Sequence, residues 1–112
     1  MIGRVYVMNV RGKGVIEKDN FIYCGRKCGV YEGGILGNYV GKGLERYNAI
    51  RKFRLYLWEE INKKGVVYDE LIRIRDILLS GDDVWLGCWC YPKMCHCDVI
   101  KSGLLWMMDN MD

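Results

Sequence analysis

Residues Leu86 to Ile100 read L-G-C-W-C-Y-P-K-M-C-H-C-D-V-I, and the fold turns on how this stretch is parsed. Four of the six cysteines, the one histidine and the one proline lie within it. An apolar run, Val84-Trp85-Leu86, leads in. Its continuous apolar character predicts a strand over Val84 to Cys90, buried on both faces as in a parallel sheet. The residues leaving the cluster recur at helical spacing, which predicts a closing helix from Cys95 to Met108 with Val99, Ile100, Gly103 and Leu104 turned inward. Soft donors in a strand-to-helix turn point to one of two chemistries, a metal site or a thiolate-lined pocket.

Working outward from this turn, the 112 residues are read as a single domain, 1–112. About half of them are apolar, enough for a core, and the net charge of +3 is mild. That charge permits an anionic ligand but lacks the dense basic face of a duplex-binding protein, so double-stranded nucleic acid is not an expected partner. No apolar run approaches the roughly 20 residues needed to span a bilayer. The opening residues carry charge too early for a secretory leader. The expected compartment is therefore the cytoplasm, where cysteines are free thiols or metal ligands rather than disulfides.

Arg4 to Val10 reads as a first strand, broken by Gly12 and Gly14, and Asn20 to Cys24 as a second, closed by Gly25. Between Arg26 and Gly43 glycines are dense, Gly29 among them, which predicts a long functional loop. From Leu44 the period changes. Tyr47, Ile50, Phe53, Leu57 and Ile61 form a helical stripe, with the stop near Lys64 and Gly65. Leu71, Ile74, Leu78 and Ile77 predict a second helix, with Asp69 and Glu70 near its start and Gly81 past its end. The expected fold is a small three-layer, Rossmann-like α/β domain with a short, mostly parallel sheet and about three helices.

Ligands of open parallel sheets bind beyond the carboxyl ends of the strands. Cys24-Gly25-Arg26 leaves strand two at that edge, and Cys88-Trp89-Cys90 leaves strand three. Asn9 and Arg11 join them only if strand one is also parallel. Cys95, His96, Cys97 and Asp98 fall at the start of the last helix, where free N–H groups favour an anion or lower a thiol pKa. Arg11, Arg26 and Arg46 supply positive charge. A nucleotide or other phosphorylated small molecule is the natural ligand class, although the glycine spacing matches no dinucleotide fingerprint or P-loop.

Zinc is the alternative, with Cys88, Cys90, Cys95 and His96 as its four ligands. The spacing C-x-C-x4-C-H is not that of common zinc modules, which pair ligands as C-x2-C. Cys24 and Cys28 read as apolar fillers.

In order along the chain, Asn9-Val-Arg11, Tyr23-Cys-Gly-Arg26, Gly37-Asn38-Tyr39, Arg46-Tyr-Asn-Ala-Ile50 and Leu86-Gly-Cys-Trp-Cys-Tyr-Pro-Lys-Met-Cys-His96 resemble a bacterial and phage family catalogued as domain of unknown function 4326. The chain departs from that pattern at Cys24, Tyr39 and Cys97, where an aliphatic residue, a proline and a small residue are usual. The resemblance implies a small α/β fold, an association with phage or mobile elements and so with host cytoplasm, and no known activity. It also implies one site made by Asn9, Arg11, Gly25, Arg26, Asn38, Arg46, Cys88, Cys90, Cys95, His96 and Asp98. Three functions compete: a binder of phosphorylated small molecules, with Cys95 and His96 as catalytic candidates if it is an enzyme; a zinc-holding structural or interaction module; and a phage-encoded inhibitor of a host protein.

Overall fold

The computed structural model describes residues 1–11, 19–28, 31 and 33–110; Gly12, Gly14 and Gly29 lie outside the described residues. In chain order the elements are β1 (Val5–Asn9), β2 (Phe21–Tyr23), α1 (Arg46–Lys63), α2 (Val66–Leu79), β3 (Val84–Cys88) and α3 (His96–Asn110). The strands form one sheet in the order β1-β3-β2, and both pairings are parallel. The apolar β3 is the middle strand, which is why its residues are buried with the exception of Trp85. The small α/β fold with three helices and a parallel sheet is the one the residue patterns predict.

Register sorts the two faces of the sheet. Val5 and Val7 lie beside Val84 and Leu86, and Ile22 beside Leu86 from the other edge. These side chains meet the helices in one apolar core. On the opposite face Tyr6 stacks on Trp85 with ring centroids 4.4 Å apart, and Phe21 is in register with Trp85. Gly87 lies next along β3, and a Cβ there would come within 2.4 Å of the Phe21 ring. The aromatic face therefore requires glycine at that point.

The three helices pack on one another, and α2 and α3 also pack on the sheet. Ile50, Phe53, Leu57 and Ile61 give α1 its buried stripe, and Val67, Leu71, Ile74 and Leu78 do so for α2. In α3, Ile100, Leu104 and Met107 are wholly buried. Each such side chain contributes about 1.5–3 kcal/mol of transfer free energy.

Three local expectations change. Tyr47 is 63% exposed, so the α1 stripe begins one turn later, at Ile50. Lys64, not Gly65, takes the left-handed position that ends α1, with its N–H on the Glu60 and Ile61 carbonyls. Gly65 serves instead as the N-cap of α2. β3 ends at Cys88 because the Trp89 carbonyl turns to the side chain of Asn9 and leaves the ladder. Among the described residues, no helix is long and apolar enough to cross a membrane.

Candidate functional site

Parallel strands deliver their carboxyl ends to one edge, and a cavity of about 620 Å³ opens there. Its walls come from four segments: Gly25–Cys28 after β2, the glycine loop around Asn38 and Gly41–Leu44, the first turns of α1, and the Cys88–His96 turn. β1 runs parallel too, so Asn9 reaches the same edge.

The rim is basic. Arg26, Lys27, Lys42 and Arg46 line the cavity, and no carboxylate does among the described residues. Arg26, Lys42 and Arg46 take part in no ion pair with described residues. Arg26 is aimed by its backbone. Tyr23 donates its hydroxyl to the Arg26 carbonyl and accepts from the Trp89 indole N–H at 3.0 Å. Gly25 makes this possible, because a Cβ there would strike the Tyr23 ring within 2.9 Å. Asn38 ties the glycine loop to α1, donating to the Ala49 carbonyl at 3.1 Å and accepting the Gly41 N–H at 2.8 Å.

Sulfur lies at the floor and just beneath it. Cys88, Cys95 and Cys97 bring their Sγ atoms within 4.8 Å of one another, and this buried group could hold a metal ion. Cys88 and Cys95 are 3.1 Å apart and share a hydrogen bond. Cys97 also hydrogen-bonds Cys24, so four buried thiols adjoin. Hydrogen bonds from Cys95 and then Cys97 hold the Cys88 thiol far below its ordinary pKa, against burial. Its acceptance of that bond from Cys95 pushes Cys95 up. Cys97, hydrogen-bonded to Cys24 first and buried, is raised well above the ordinary value.

Cys95 is also the residue before α3. Its Sγ accepts the Cys97 N–H at 3.3 Å, while its own N–H donates to the Asp98 carboxylate at 3.0 Å. This is a capping box in which a thiol takes the place of a hydroxyl. It uses the Cys97 N–H, one of the α3 groups that had been expected to face an anion. At α1, Glu45 accepts the N–H groups of Tyr47 and Asn48 in the same way. Positive charge on the rim, rather than helix ends, is what the cavity offers an anion.

The remaining candidates separate accordingly. Gly25, Arg26, Asn38, Arg46, Cys88, Cys90, Cys95 and His96 line the cavity. Asn9, Arg11 and Asp98 do not. Asn9 donates to the Trp89 and Tyr91 carbonyls and accepts the Arg11 N–H at 2.8 Å, which ties the cysteine turn to β1. Asp98 caps α3. His96 directs Nε2 at the Cys24 carbonyl and sets its ring edge-on to Phe53, with centroids 5.0 Å apart. Burial, the largest cause, lowers its pKa. Among the described residues it makes no hydrogen bond to Cys95, so no nucleophile–base pair is formed. Of the residues named for zinc, Cys88 and Cys95 come together with Cys97 rather than with Cys90 and His96.

Lys27 and Lys42 on the rim, and Cys97 and Cys24 under the floor, were not among the site residues read from sequence. The lysines carried no signal beyond their glycine-rich setting. Cys97 carried one, since it sits two residues from Cys95 at the N2 position of α3.

No curated protein and no solved structure matches the chain. One family model does, over residues 7–106, from within β1 through β2, the glycine loop, α1, α2 and β3 into α3. The chain belongs to that family, described as Domain of unknown function (DUF4326).

Proposed function

We propose that the protein binds a phosphorylated small molecule, of which a nucleotide is the leading example, in the cavity at the carboxyl edge of its sheet. One observation carries this reading: four basic side chains and no carboxylate among the described residues line a cavity of about 620 Å³. That volume falls within the range of small-molecule sites. The lack of ion pairs at Arg26, Lys42 and Arg46 among the described residues supports it further, because no described carboxylate neutralises their charge. Arg26 and Arg46 are the proposed phosphate contacts, since a guanidinium presents two parallel N–H donors to phosphate oxygens. Cys88, Cys90 and Met94 would face the less polar part of the ligand.

The test is calorimetry with nucleoside 5′-phosphates and the matching nucleosides at low and high salt. The reading requires that the phosphates bind, that the nucleosides bind far more weakly, and that salt weakens the difference. Equal binding of both classes, or no binding at millimolar concentration by folded protein, overturns it.

A further inference from the structure

We infer that Cys88, Cys95 and Cys97 form a buried three-thiolate site for a thiophilic d10 metal ion of the zinc class, set beneath the cavity floor. The three sulfurs come from two elements meeting at one point. Cys88 ends β3, Cys95 immediately precedes α3, and Cys97 is in the first turn of α3. All three are at most 2% exposed. Zinc binds thiolate sulfur at about 2.3 Å, so three sulfurs around one ion lie about 3.8–4.0 Å apart. The trio already sits within 4.8 Å, with one pair at 3.1 Å. The ligand triangle then needs that pair to open, and the other two separations to adjust, by about 1 Å or less.

Donor chemistry narrows the ion. An all-sulfur set selects soft or borderline cations and discriminates against magnesium or calcium, which take oxygen ligands. Three protein sulfurs leave the fourth position of a tetrahedral ion to a further donor. Entry has a route, because Cys88 and Cys95 also line the cavity. Cys90 lies apart on the wall, and Cys28 is exposed. His96 already directs Nε2 at the Cys24 carbonyl. The site is thus distinct in its ligands from a Cys88, Cys90, Cys95, His96 set, and it does not depend on phosphate binding.

The experiment uses the reduced, metal-stripped full chain, titrated with Zn²⁺ against a chromophoric chelator and with Co²⁺ as a spectroscopic probe. One Zn²⁺ per chain is expected, and Co²⁺ should give thiolate charge-transfer absorption. Cys97→Ser should weaken zinc affinity by more than about 10-fold, the least that losing even a supporting group around a metal ligand costs. Cys28→Ser and Cys90→Ser should leave it unchanged. Absence of the charge-transfer band in folded protein overturns the inference, as does a Cys90→Ser loss equal to that of Cys97→Ser. Where circular dichroism shows Cys97→Ser unfolded, Cys97→Ala replaces it. Zinc X-ray absorption of the wild-type protein decides independently: at least three sulfurs at about 2.3 Å are required, and a nitrogen- and oxygen-dominated shell refutes the site.

Discussion

Arg26 and Arg46 stand exposed on the cavity rim, whereas Cys88, Cys95 and Cys97 have at most 2% of their surface exposed. The rim is carried by a loop after β2 and by the opening turn of α1. The floor is carried by the central strand and by α3, in the same apolar cluster as Ile100 and Leu104. A rim charge can therefore change without disturbing the core. A floor thiol cannot, because it fills space in the core, and Cys95 caps a helix as well. Binding and stability should separate at the rim and be inseparable at the floor.

The largest effect should come from beneath the floor. Phe53 is fully buried and meets the His96 ring edge-on. Phe53→Ala should lower the unfolding free energy by about 3–5 kcal/mol, read by urea titration; a loss under about 1 kcal/mol would show that the core does not support the floor. At the rim, Arg26→Ala and Arg46→Ala should each weaken nucleoside phosphate binding about 10-fold or more in calorimetry. The urea midpoint should stay where it is, and a fall in that midpoint would erase the distinction between rim and floor.

A smaller effect distinguishes capping from ligand contact. Asp98→Ala removes the acceptor of the Cys95 N–H and should cost about 1 kcal/mol of stability, with ligand affinity unchanged. Loss of affinity at constant stability would return Asp98 to the ligand site. Smallest of all, Cys28→Ser alters an exposed thiol. It should shift stability by less than about 0.5 kcal/mol, so a larger shift would mean that Cys28 belongs with the buried sulfurs.

Much of this was legible in the chain because each signal is local. The apolar run at Val84 announces a buried strand, and the 3.6-residue stripes announce α1 and α2. Two helices between β2 and β3 make those strands parallel, which places Arg26 and Cys88 at one edge. The weak points were also local. Tyr47 fits the α1 stripe by spacing, but the glycine loop leaves it in solvent. Lys64 ends α1 in a conformation usually given to glycine, because Gly65 is already used to start α2.

The roles of Asn9, His96, Asp98 and Cys97 were not legible. Each depends on a partner brought near by folding or on which side of a turn a side chain leaves. Asn9 reads as a ligand contact until Trp89 and Tyr91, 80 and 82 residues away in sequence, present their carbonyls to it. Cys97 looks incidental until the first turn of α3 puts its sulfur beside Cys88 and Cys95.

By itself the sequence determined the element order, the parallel pairing of β2 with β3, and the gathering of cysteines and arginines at one sheet edge, because periodicity and connection length are properties of contiguous residues. Only the tertiary structure decided that β1 is parallel as well, that the N-termini of α1 and α3 are capped by nearby side chains, and that the sulfurs divide into a buried trio, a buried Cys24 and two outlying thiols. Those outcomes rest on distances between segments far apart in the chain, which packing sets and local pattern does not encode.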